Sequence, residues 1–165
     1  MSASVVRIGI AVIEARNLVA LIDELIAVID DPRSMDDPGV ARLAPDAYPG
    51  DDAASTEFRE ATRDALIDRR HADATTVRRS LASIADAEDA DPGGGFREHR
   101  LSLSDAQADA WMRTLAALRL VVASRLGIET ADDHDPEDPR FGVYDWLGYR
   151  LELLVRAADE QDPRG

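Results

Sequence analysis

The chain of 165 residues has the length of one domain, and a folded domain of this size buries roughly 70% of the surface that its unfolded form exposes. Hydrophobic residues make up 45% of it, which is typical of folded proteins, while 33 acidic against 19 basic residues give a formal net charge of −14. Because such a surface repels phosphates, tight autonomous binding to DNA is disfavoured. The chain has no cysteine, which excludes disulfides, thiolate nucleophiles and zinc–cysteine sites.

The N-terminal region predicts a strand followed by a helix. Residues Val5 to Val12 alternate between β-branched and other side chains, which indicates a short strand. From Ile13 onward the apolar residues recur at helical spacing, and we expect that helix to end near Asp30, before Pro32. Charged residues interrupt this apolar region throughout, so we expect neither a signal peptide nor a membrane span, and a cytoplasmic location.

The middle of the chain predicts a long connection, two helices and a second strand. Four prolines punctuate residues 31–52, which leaves space for one helical turn around Val40 to Leu43. Ser55 to Ile67 reads as one helix and a further helix begins near Ala74. Three glycines at 93–95 mark a loop, and Phe96 to Leu103 alternates as a strand.

The C-terminal third predicts two long helices. Ser104 and Gln107 match a capping box that opens a helix over 105–126, and Gly127 stands where a left-handed C-terminal cap is needed. A last helix runs from about Phe141 to Ala158, and we expect the acidic segment 129–139 and the tail 159–165 to be flexible.

These elements predict a mainly α fold, with about five helices in one bundle-like domain over residues 1–165 and a small two-stranded antiparallel β-ribbon. The ribbon follows from the need to pair backbone groups, since each predicted strand is the other's only available partner. The two C-terminal helices should pack against each other through apolar side chains: Trp111, Leu115, Leu118, Tyr144, Leu147 and Leu151.

No residue pattern predicts catalysis, a metal site or a cofactor. The acidic run Asp132 to Asp138 lacks the glycine and the glutamate that an EF-hand requires at its sixth and twelfth positions. No serine lies in a Gly-x-Ser-x-Gly elbow, and the glycines at 93–95 lack a phosphate-binding fingerprint. We therefore interpret the protein as non-enzymatic.

A cluster of positive charge is the candidate binding surface. Arg69, Arg70, Arg78 and Arg79 concentrate near the junction of two predicted helices, where they could dock an acidic partner or a phosphate backbone. The adjoining surface would carry Leu43, Pro45 and Tyr48 of the long connection. The alternative is internal pairing of the arginines with nearby acids: Asp64, Asp68, Asp73 and Asp86. Arg119, inside an apolar run, is expected to be structural and bonded to a carboxylate or to loop carbonyls.

Three stretches of the chain together carry a family resemblance. The first runs from Ala41 to Tyr48, followed by Glu57-Phe58-Arg59. The second holds Trp111-Met112-Arg113, Leu118-Arg119-Leu120 and Arg125 to Ile128, and the third is Tyr144-Asp145-Trp146-Leu147. The signature side chains are Trp111, Arg119, Tyr144 and Trp146. In these stretches the chain resembles the actinobacterial domain-of-unknown-function family 2017, some of whose members are AosR-like oxidative-stress transcription regulators.

The resemblance implies a small helical regulator, and two features depart from the family. Ala116-Ala117 stands where the family usually has Asn-Asp, and sensing by paired cysteines cannot operate here. We expect a transcription regulator that contacts a protein such as a sigma factor or RNA polymerase, with weak or absent direct DNA binding. Family genes that neighbour a Clp adaptor gene suggest the alternative, an adaptor or scaffold in regulated proteolysis. A second copy of the chain is a further possible partner.

Overall fold

The computed structural model describes residues 4–44, 54–87, 93–130 and 133–161. Within these ranges the elements follow in the order β1 (Val5–Ala11), α1 (Val12–Asp30), α2 (Pro38–Leu43), α3 (Ala54–Ala85), β2 (Glu98–Ser104), α4 (Asp105–Leu126) and α5 (Gly142–Gln161). Short 3₁₀ turns cover Pro32–Asp36, Gly94–Phe96 and Pro139–Phe141. The predicted mainly α fold with a small ribbon is confirmed.

The two strands pair antiparallel with each other, as predicted. Val5 lies opposite Ser104 and Ala11 lies opposite Glu98. One face of the ribbon carries the apolar side chains, with Val6, Ile10 and Leu103 each at most 2% exposed. Because opposite residues share a face, the other face carries Arg7, Gly9 and Arg100. The ribbon therefore closes one side of the helical core.

The prediction of a break between residues 67 and 74 is wrong, because α3 is one continuous helix of 32 residues. Residues 68–73 include no proline or glycine, so the loss of apolar periodicity marks a polar stretch of helix rather than a backbone interruption. The core-facing residues begin only at Asp73 and continue with Ala74, Val77, Leu81 and Ile84. Arg16 of α1 donates to the carbonyl oxygens of Ala85 and Ala87, which satisfies acceptors at the end of α3.

The connection after α1 holds more regular structure than its prolines suggested. Asp37 caps α2, its carboxylate accepting from the Gly39 amide at 2.7 Å and from the Val40 amide at 3.3 Å. Pro38 fits the first helical position because it has no amide hydrogen to leave unpaired. The helical turn predicted at Val40 to Leu43 is thus confirmed as α2, and residues 45–53 lie outside the described residues.

The caps of α4 are the ones the sequence predicted. Ser104 Oγ accepts from the Gln107 amide at 3.2 Å, and the Gln107 side chain accepts from the Ser104 amide at 2.9 Å. Gly127 ends the helix in the left-handed conformation with φ of 73°. The predicted flexible tail is helical over residues 159–161, which form the last turn of α5.

Candidate functional site

The four arginines predicted to form one basic surface lie around α3 instead. Successive residues of an α-helix are rotated by about 100°, so a continuous helix places Arg69 and Arg78 on opposite sides of it. Arg70 turns toward the packed side and is half-buried, while Arg79 points away from the core and is exposed. The expectation of a compact basic junction is therefore wrong, since it depended on a turn that the helix does not make.

Internal pairing accounts for one of these arginines. Arg78 Nε donates to Asp23 Oδ1 of α1 at 2.6 Å, and this hydrogen bond raises the pKa of the Arg78 guanidinium. This hydrogen-bond partner is none of the four acids proposed from the sequence, although Asp86, one of the four, also raises the pKa of Arg78 through its charge. Asp73, one of those four, is instead held by Arg113 of α4 through two hydrogen bonds of 2.7 and 2.9 Å. Among the described residues, Arg69 and Arg79 have no carboxylate partner.

Of the three other predicted contact residues, the structure describes only Leu43. Leu43 is 1% exposed and belongs to the main core, because α2 turns its apolar side toward α4. This removes Leu43 from the candidate partner surface. Pro45 and Tyr48 lie outside the described residues.

Arg119 takes a different partner from the expected one. Its guanidinium carbon lies 4.2 Å from the ring centroid of Tyr144 on α5, a cation–π contact. Its Nε is buried and has no hydrogen-bond partner in the described part of the chain, so the predicted carboxylate or carbonyl bond is absent there. Gly148 makes space for this arrangement, since a Cβ at that position would stand 3.0 Å from Arg119 Nε.

A cavity of about 360 Å³ opens between the ribbon, α4 and α5. Its inner wall is apolar and almost fully buried, and Ile10, Leu18, Leu115 and Leu154 are each 1% exposed. Both tryptophans of the chain, Trp111 and Trp146, line it. A concave apolar site with a few polar groups at its edge is the usual form of a small-molecule site.

Glu14 fixes the polar wall of this cavity. Its Oε1 accepts from Trp146 Nε1 at 3.1 Å and from Arg150 Nε at 3.2 Å, and its Oε2 accepts from Arg150 Nη2 and from the Ala11 amide. Arg150 Nη1 also donates to the Gly9 carbonyl at 2.7 Å. Burial by itself raises the pKa of Glu14, but the hydrogen bonds from Arg150, Ala11 and Trp146 outweigh it and lower the pKa to about 2. The Glu14 carboxylate is therefore ionised at neutral pH.

The mouth of the cavity carries one further charge of each sign. Arg7 and Glu98 are both exposed and both line it, and neither forms an ion pair with any described residue. Glu98 reaches over Gly9, since a Cβ on Gly9 would stand 2.3 Å from Glu98 Oε1. Tyr149, 58% exposed, completes the rim. Sequence reasoning missed this site, because its residues come from elements far apart in the chain. The one local signal was Glu14, at the third position of α1.

An exposed apolar tip lies at the end of the ribbon. Phe96 is 77% exposed, and Gly95 places this turn against Ile13 of α1, which is 42% exposed. Arg97 is exposed and pairs with no described carboxylate. We call Ile13, Phe96 and Arg97 the Phe96 tip. The sequence placed Phe96 in the second strand, whereas it precedes β2 in a 3₁₀ turn.

Three carboxylates of the acidic segment, those of Asp133, Asp135 and Asp138, accept hydrogen bonds from residues close to them in the chain. Asp133 accepts from the amides of Glu129 and Thr130, which lowers its pKa, and Asp138 accepts from the side chain and amide of Arg140 with the same effect. His134 contacts Asp145 Oδ1 through Nε2 at 2.6 Å. No group of three or more His, Cys, Asp or Glu that could hold a metal occurs among the described residues.

Comparison with known proteins gives one match. The family described as a domain of unknown function (DUF2017) matches residues 2–158, which is nearly the whole chain. Neither the curated proteins nor the solved structures gave a match. In the described ranges, no helix is both long and apolar enough to cross a membrane.

Proposed function

We propose that this chain, which belongs to the DUF2017 family, is a non-enzymatic cytoplasmic regulator that acts by binding another protein. Its specific role in this proposal is that of an AosR-like actinobacterial transcription regulator of the stress response, which contacts the transcription machinery. The observation that carries the proposal is the exposure of the Phe96 tip. A phenylalanine that is 77% exposed leaves most of its ring in water. Transferring such a ring into a partner's pocket is worth roughly 2 kcal/mol.

The composition of the tip is typical of protein interfaces. Aromatic residues and arginine are enriched among the side chains that dominate binding energy, and Phe96 is followed directly by the exposed Arg97. The net charge of −14 disfavours direct contact with DNA, so a protein intermediary is the favoured route to a promoter. The partner proposed is RNA polymerase or its sigma factor.

The test is direct binding of the purified chain to purified RNA polymerase holoenzyme and to free sigma factor, measured by surface plasmon resonance. We expect Phe96→Ser to weaken that binding at least tenfold, the loss of about 1.4 kcal/mol expected of a central contact residue. Val155→Ser is the matched control, because Val155 of α5 is also an exposed apolar side chain, at 40%, and is no part of the Phe96 tip. It should bind like the parent.

Two outcomes would overturn the proposal. One is the absence of saturable binding to RNA polymerase holoenzyme and to sigma factor at protein concentrations up to about 50 μM, which covers dissociation constants in the micromolar range. The other is equal binding by Phe96→Ser and the parent. Binding to a Clp adaptor that is lost with Phe96→Ser would select the alternative, a proteolysis adaptor. Promoter DNA without polymerase should not be retained at physiological salt, where direct binding would show a steep salt dependence.

A further inference from the structure

The cavity beside β1 has properties that packing alone does not explain. Trp111 is 2% exposed and lines it, yet the indole Nε1 has no hydrogen-bond partner among the described residues. Buried indole N–H groups usually find an acceptor, and leaving one unpaired is costly. A molecule inside the cavity that carries an acceptor at its inner end would supply that partner.

The charges around the cavity specify the outer end of such a molecule. Glu14 and Arg150 neutralise each other and are held by further bonds to Ala11, Trp146 and Gly9. Arg7 and Glu98 remain, one cation and one anion at the mouth, without described ion-pair partners. A ligand carrying one ammonium and one carboxylate would pair both and leave the site neutral. A simple carboxylate or a simple amine would leave one of the two charges unpaired.

The side chains that line the cavity indicate the chemistry of the middle part of such a ligand. Trp111, Trp146 and Tyr149 line the cavity together with aliphatic side chains such as Leu115 and Leu153. Aromatic rings pair favourably with one another in edge-to-face or offset geometry. A volume of about 360 Å³ lies at the small end of ligand pockets. The site thus fits a single aromatic ring with a short charged head.

We propose that this cavity binds a free aromatic amino acid, with its ammonium and carboxylate at Glu98 and Arg7 and its ring between Trp111 and Trp146. A phenol oxygen, as in tyrosine, would accept from the orphan indole N–H. The inference goes beyond the proposed partner contact and stands independently of it, since it involves no residue of the Phe96 tip.

The test combines ligand and protein variants in calorimetric titrations of the full chain. L-phenylalanine should bind, and L-tyrosine should bind about fivefold tighter through the added hydrogen bond. 3-Phenylpropionate lacks the ammonium and phenethylamine lacks the carboxylate, so each should bind at least tenfold more weakly. Arg7→Gln should weaken L-phenylalanine but leave phenethylamine unchanged, and Glu98→Gln should weaken L-phenylalanine but leave 3-phenylpropionate unchanged.

Arg100→Gln is the matched control, since Arg100 lies opposite Gly9 on the same ribbon face and does not line the cavity. It should change no affinity. A second readout is the indole region of the ¹H–¹⁵N spectrum, where the chain's two tryptophans give two resonances, and tyrosine should shift that of Trp111. Any one of four results would overturn the proposal. The first is no saturable binding of either amino acid, and the second is equal affinity for L-phenylalanine and 3-phenylpropionate. The others are equal affinity for L-tyrosine and L-phenylalanine, and a loss of affinity with Arg100→Gln as large as that with Arg7→Gln.

Discussion

Glu14 of α1 and Arg150 of α5 form a two-point ion pair between residues 136 positions apart in the chain. The same carboxylate accepts from the Ala11 amide where β1 becomes α1, and the same guanidinium donates to the Gly9 carbonyl. One pair thus joins the ribbon, the first helix and the last. Since both side chains are at least three-quarters buried, the pair is shielded from solvent and sensitive to loss of either partner.

We expect Glu14→Gln to lower the free energy of unfolding by about 3 kcal/mol at pH 7, because it leaves Arg150 without its counter-charge. The folded-state pKa of Glu14, about 2, is below its unfolded value of 4.5, so its stabilisation is full above pH 4.5 and is lost as the pH falls toward 2. The difference between parent and variant should therefore shrink across that window. Urea denaturation at pH 7 and at pH 3 measures it.

The control for that prediction is Glu152→Gln. Glu152 pairs with Arg156 one turn along α5, and both side chains are at least 60% exposed. Its loss should cost less than about 0.5 kcal/mol at either pH. A Glu14→Gln variant as stable as Glu152→Gln would show that the pair contributes nothing to the fold.

A second prediction compares two ion pairs that α3 forms with its neighbouring helices. Asp73 is buried and receives two hydrogen bonds from Arg113 of α4, whereas Asp23 and Arg78 are both nearly half exposed. Asp73→Asn should cost about 2 kcal/mol, since it weakens a charge-assisted pair in a shielded position. Asp23→Asn should cost less than about 1 kcal/mol. Thermal melts of the two variants compare their losses of stability, and equal losses would contradict the prediction.

The sequence predicted the elements whose signals are local. Alternation gave β1, helical spacing gave α1 and α5, and the capping box with Gly127 gave both ends of α4. Pairing of the strands followed because backbone groups need partners. In α3, by contrast, apolar periodicity reports which side of a helix is buried. Over residues 68–72, where α3 buries no side chain, the apolar pattern is interrupted although the helix continues.

The candidate site was beyond sequence reasoning for a different reason. Arg7, Glu98, Trp111 and Arg150 meet only because the ribbon pairs and α5 packs against β1. The spacing of these residues along the chain does not predict that packing. The prediction of a basic surface on α3 was wrong for the opposite reason. Its arginines are close in sequence, but the rotation between successive helical residues distributes them around the helix axis.

A third prediction uses two glycines in different backbone conformations. Gly127 ends α4 with φ of 73°, a region that alanine enters at a cost, so Gly127→Ala should destabilise the protein by about 1 kcal/mol. Gly142 opens α5 in the right-handed conformation, and a Cβ there would meet no atom within 4 Å. Gly142→Ala should therefore stabilise by about 0.5 kcal/mol. Chemical denaturation at one pH separates the two, and effects of the same sign would refute the argument.

The last prediction concerns Gly148 and Arg119. In an open helix a glycine-to-alanine change stabilises by roughly 0.5–1 kcal/mol, but here the new Cβ would lie 3.0 Å from Arg119 Nε and 3.1 Å from its guanidinium carbon. The guanidinium would have to shift by a few tenths of an ångström against the Tyr144 ring, and we expect Gly148→Ala to destabilise by about 1 kcal/mol because that shift disturbs the cation–π contact and the side-chain packing.

The double variant isolates that cause. With Arg119→Ala in place the obstacle is gone, so adding Gly148→Ala should now stabilise by about 0.5 kcal/mol, a reversal of sign that unfolding curves of the four proteins detect. If Gly148→Ala has the same effect with and without the arginine, the two residues are uncoupled. The position would then require glycine for a reason other than the space occupied by Arg119.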